Sequence, residues 1–114
     1  MWFEPSQIPD TLPFGTDGIV FNLGFKTPPG GEIGSSNHVL NDHAYCCGMN
    51  LDVCDATGEP QAKDKERCAK WHAKKIGTRG KNAKALGIPL FISEFGACLG
   101  TDECSTEIDQ VTSN

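Results

Sequence analysis

Apolar and polar positions along this chain fall into a few tight runs separated by long stretches without a regular period. The tightest run is Leu90-Phe91-Ile92-Ser93, with Pro89 before it and Glu94-Phe95-Gly96 after it. It is too short for a helix to declare itself, so it predicts a strand over residues 88–94, buried on both faces as strands of parallel sheets are. Val39-Leu40-Asn41-Asp42-His43-Ala44-Tyr45 predicts a second strand, over residues 38–45, that turns polar as it ends. Between the two, residues 60–87 predict a helix. Pro60 suits a first helical position, Cys68, Trp71, Ile76, Ala83 and Leu86 gather near one face, and Gly87 supplies a stop. Gly77 and Gly80 weaken the last turns, which leaves a kink or two shorter helices as an alternative.

Strand, helix, strand in that order predicts a βαβ crossover with its two strands parallel. In such units the working residues lie at the C-terminal ends of the strands, where His43, Tyr45 and Glu94 fall. Ahead of the crossover, Trp2-Phe3 is the stub of a strand over residues 1–4, and residues 5–37 form a long loop broken by prolines and glycines. Within it, Ile19 to Phe25 is apolar enough for a hairpin strand or a packed loop wall. Residues 46–58 read as a cysteine-bearing loop.

Composition narrows the class. A chain of 114 residues with 38% apolar content suits one small globular domain. No stretch approaches the roughly 18 to 20 apolar residues of a membrane span. Six cysteines point to an oxidising compartment, yet Met1 to Pro5 has neither the basic start nor the apolar segment of a leader. The expectation is a piece of a longer secreted or lysosome-like protein, the alternative being an intracellular protein with reduced thiols. The net charge of −5 hides a segregation: residues 59–87 carry nine Lys/Arg against three acids, and the rest of the chain sets Lys26 alone against twelve acids. That basic block coincides with the helical pattern and has no aromatic but Trp71, so it predicts a solvated outer helix face rather than a nucleic-acid surface.

Glu94 is the best clue to chemistry. A carboxylate at the rim of a buried strand needs a hydrogen-bonding or charged partner. Its ordinary alternative is a Glu that caps the following turn. Cys98 and Cys104 bracket a short turn after this strand and suit a local disulfide, while Cys46, Cys47, Cys54 and Cys68 can pair among themselves in three ways. A Cys₃His zinc site from Cys54, Cys68 and His72 with Cys46 or Cys47 lacks the usual close cysteine pair.

Ile-Pro-Leu-Phe-Ile-Ser-Glu-Phe-Gly at 88–96 resembles the seventh-strand signature of glycoside hydrolase family 5, the cellulase-like (β/α)8 barrels. The preceding strand, ending Asn41-Asp42-His43-Ala44-Tyr45, resembles the same family's sixth strand with its His-x-Tyr. Phe3-Glu4-Pro5, Pro28-Pro29-Gly30-Gly31 and Tyr45-Cys46-Cys47 are most similar to the endoglycoceramidase-like branch. The resemblance implies an α/β fold, a partial TIM barrel covering roughly the fifth to seventh strands, with the whole chain a single partial catalytic domain and the remainder of its barrel missing.

It also implies a retaining glycosidase acting on a polysaccharide or glycolipid. Glu94 would be the nucleophile, Tyr45 would orient it, His43 would contact the sugar or the acid/base, and Glu4 would line the same mouth. That chemistry calls for no cofactor and no metal. It does require two carboxyl groups about 5 to 5.5 Å apart. The family's acid/base lies in an Asn-Glu-Pro signature that does not occur in these residues, and Glu4 in Phe-Glu-Pro does not replace it. The isolated chain is therefore expected to turn over poorly. Two further readings stay open, a non-catalytic fragment or carbohydrate-binding relic and a small disulfide-rich interaction protein.

Overall fold

A computed structural model describes residues 1–5, 11–12, 19–46, 62–96 and 106–114. Strands β1 (Trp2–Phe3), β4 (Val39–Ala44) and β5 (Leu90–Phe95) form a parallel sheet in the order β1-β4-β5. Strands β2 (Thr11–Leu12) and β3 (Ile19–Val20) pair antiparallel as a separate hairpin within the long segment 5–37, β3 falling at the start of the run Ile19 to Phe25 that suits a hairpin strand. Helix α1 (Lys65–Leu86) connects β4 to β5 and packs against both, and the short helix α2 (Thr106–Thr112) lies against α1 and β5.

Helix α1 is continuous through Gly77 and Gly80. A Cβ at either position would meet nothing within 4 Å outside the helix's own turn, so no close approach requires glycine there, and each costs the helix about 1 kcal/mol of propensity relative to alanine. A 3₁₀ turn over Ala62–Asp64 leads directly into it, and the predicted start at Pro60 lies outside the described residues. It ends as the sequence suggests. Gly87 adopts φ 66°, its N–H donates to Lys84 O and the N–H of Ile88 donates to Ala83 O, which satisfies carbonyls the last turn would leave orphaned. Gly34 N–H donates to the carbonyl of Leu86, and a Cβ on Gly87 would come within 2.8 Å of that Gly34 nitrogen. Glycine at 87 therefore serves both the left-handed turn and the close approach of the loop.

The helix-facing side of β4 presents Leu40, Asp42 and Ala44, all fully buried. Leu40 packs with Ala83, Leu86 and Ile88, joined by Phe3, Leu23 and Leu90. Ala44 packs with Cys46, Cys68, Trp71 and Val111, joined by Ile76 and Ile92. Between these apolar clusters Asp42 meets two buried cations of α1, with Arg79 Nε at 2.7 Å and Lys75 Nζ at 3.3 Å from Asp42 Oδ2. The expected solvated basic face holds for Lys63, Lys65, Lys70, Lys74, Lys81 and Lys84, which are exposed, and fails for these two. Lys75 and Arg79 lie on the stripe Cys68, Trp71, His72, Lys75, Arg79, Ala83, Leu86 at helical spacing, and the Asp42 carboxylate makes their burial tolerable.

Strand β5 also departs from its expected burial on both faces. Leu90 and Ile92 pack toward α1, but Phe91 is 46% exposed because the opposite face is uncovered among the described residues. A disulfide joins Cys46, just after β4, to Cys68 in α1. The other disulfide candidates, Cys47, Cys54, Cys98 and Cys104, lie outside the described residues. Among the described residues no helix is long and apolar enough to cross a membrane.

Candidate active site at the strand ends

On the open side of the sheet the alternation of β4 presents Asn41 and His43, with Tyr45 one residue past the strand. Glu4 follows β1 and Glu94 lies near the end of β5, so parallel pairing brings both carboxylates to the same end as His43. All four residues expected at the site come together. Tyr45 Oη donates to Glu94 Oε2 at 3.1 Å, and His43 Nδ1 stands 3.6 Å from that oxygen. On the other edge of the ring, His43 Nε2 is 3.2 Å from Glu4 Oε2. The imidazole is thus bracketed by two carboxylates.

Asn41 completes the arrangement, its Nδ2 donating to Glu4 Oε2 at 3.0 Å. In the sequence only its place two residues before His43 and four before Tyr45, a strand-period signal, marks it. Glu4 is thereby engaged with β4 by two contacts, whereas among the described residues Glu94 meets the Tyr45 hydroxyl and the nearby ring. Glu94 is 55% exposed and Glu4 48%, so water and a solute reach both carboxylates. An accessible, oriented carboxylate beside a hydroxyl and an imidazole can act as a nucleophile or as a base.

The pairing of β4 with β5 contains one irregularity, and it falls at the site. Asp42 pairs with Ile92, yet His43 pairs with Glu94, leaving Ser93 as an extra residue in β5. The amide of His43, at this slip, donates to Asp42 Oδ1 at 2.8 Å. From the same carboxylate the polar chain runs on through Arg79, whose Nη1 donates to the Phe21 carbonyl at 2.7 Å. The segment after the hairpin is thereby tied to the floor of the site.

Comparison with protein-family models, with curated proteins and with solved structures gives no match for this chain.

Proposed function

We propose that the chain carries the nucleophile portion of a retaining O-glycosidase of the cellulase-like type, acting on a polysaccharide or glycolipid. The observation that carries this reading is the hydrogen bond from Tyr45 to Glu94 across adjacent parallel strands, at their C-terminal ends. It joins the two sequence motifs on which the resemblance rests. The parallel order β1-β4-β5, with α1 on one face, is also the arrangement expected of three successive barrel strands. The uncovered face would then be the barrel interior. The Cys46–Cys68 disulfide supports an oxidising compartment, in keeping with a secreted or lysosome-like parent.

In the first half-reaction an oxygen of Glu94 bonds to the anomeric carbon as the glycosidic C–O bond breaks, and the departing oxygen takes a proton from a second carboxyl group. In the second, water displaces Glu94 at that carbon and returns its proton to that carboxylate. Tyr45 holds the attacking carboxylate in one orientation throughout. Glu4 is taken up by His43 and Asn41, so its role is to line the mouth and hold the ring. The second carboxyl group comes from a part of the parent protein carrying the Asn-Glu-Pro signature.

In the parent-length protein, Glu94→Gln should lower hydrolysis of carboxymethylcellulose or a glycosylceramide by about a thousandfold or more while sparing sugar binding. Retained turnover would remove Glu94 from the nucleophile role. A second reading, a sugar-binding relic, is favoured by the lack of an Asn-Glu-Pro motif in these residues. A parent reading frame interrupted ahead of Met1 would select it.

A further inference from the structure

We propose that Asp42, locked by Arg79 and Lys75, is a positioning residue that sets the register slip by which Glu94 reaches the open face. The argument begins with strand parity. Leu90 and Ile92 face α1, and with a regular ladder Glu94 would follow them to that side, because side chains alternate and a one-residue shift exchanges the faces. The extra residue Ser93 reverses the parity. Glu94 then stands level with His43 and reaches Tyr45. A bulge that re-aims a side chain beside a site is a recognised use of such slips.

Asp42 is at the slip and both its oxygens are committed there. Oδ2 takes Arg79 Nε at 2.7 Å and lies 3.3 Å from Lys75 Nζ, while Oδ1 takes the His43 amide at 2.8 Å. That carboxylate has no exposed surface, and the two cations fix it from the helix side. It therefore gives the His43 amide an immobile acceptor on its own strand, and the ladder is free to change step beside it. The three buried charges would be a costly way to fill a core, since apolar residues of similar size often serve stability as well. Their placement under the slip gives them a use that packing does not. The purpose assigned to the slip rests on the glycosidase reading, but its dependence on Asp42 does not.

The test is a change of register read by NMR on the isotopically labelled 114-residue chain. Cross-strand backbone NOEs should pair His43 with Glu94 in the wild type. In the charge-free variant Asp42→Leu/Lys75→Met/Arg79→Met they should pair His43 with Ser93, and the Tyr45 ring should lose its contacts to Glu94. Deleting Ser93 in that variant should restore the Tyr45 to Glu94 contacts, because Glu94 then follows Ile92 directly and alternation alone turns it outward. A wild type without the His43 to Glu94 pairing overturns the proposal. So does a charge-free variant that keeps it, or a deletion that fails to bring Glu94 back to Tyr45, whether through a different register or loss of the sheet. Since the readout is register and not turnover, an inactive parent protein with the slip intact would count against the glycosidase reading alone.

Discussion

Acids and bases gather against both faces of β4, Asp42 on one and His43 on the other, and the two faces use them in opposite ways. On the helix side Asp42, Lys75 and Arg79 are wholly buried; on the open side Glu4, His43 and Glu94 remain in contact with water. Removing charges from water costs several kcal/mol for each ion, so the buried set is tolerable only with close pairing and hydrogen bonds. The exposed set is screened and contributes little to stability. The division gives the sheet a fixed floor on one side and, on the other, charged groups that a solute can reach.

The most severe way to break this contrast is to remove one buried partner. Asp42→Ala should destabilise the chain by about 3 to 5 kcal/mol, as urea denaturation would measure, because it strands two buried cations. Next comes the covalent tie on the same side. The cysteines of the Cys46–Cys68 bridge are 22 residues apart, and replacing both with alanine should cost about 3 kcal/mol through the unfolded chain's regained freedom. On the open side the same kind of experiment should do almost nothing to folding. Glu94→Gln is expected to leave stability within about 0.5 kcal/mol, so a larger loss would mean that the face is not the independent surface described.

The smallest effect belongs to the outer surface of α1. Glu66, hydrogen-bonded to and attracted by Lys70 at 2.9 Å, has its carboxyl held below the ordinary value of 4.5. A lowered folded-state value adds stability at pH above the unfolded value and loses it as pH falls through the folded one. For an exposed pair that contribution should be slight and should shrink with salt. Lys70→Ala should return the Glu66 titration to its ordinary range, as carboxyl NMR would record.

How far the sequence reveals this architecture depends on where each feature is encoded. Pro89, Gly96 and the apolar run between them point to a strand, and Gly87 to a helix end; both are local statements, and the structure has β5 and a helix ending at Leu86. The meeting of Glu4, His43, Tyr45 and Glu94 follows from strand ends in parallel register. The burial of Lys75 and Arg79 is not local. It depends on Asp42, which stands on another element, so hydropathy along α1 alone points the wrong way. The slip at Ser93 is a property of pairing between β4 and β5, and no residue pattern within β5 announces it. Helix α2 leaves little trace in the sequence for a simpler reason: over Thr106–Thr112 only Ile108 and Val111 mark an apolar spacing, too brief to establish a period.

The chain's two tryptophans fall on opposite sides of the sheet. Trp71 is sealed in the apolar cluster behind β4, while Trp2 is 62% exposed on the open side, edge-on to Phe91 at 5.1 Å between centroids. The protein therefore contains a matched pair of optical probes. An aqueous quencher should reach one indole and spare the other while the open side is bare, and anything that comes to rest over that side, whether more of the same polypeptide or a bound sugar chain, should shield Trp2 without disturbing Trp71.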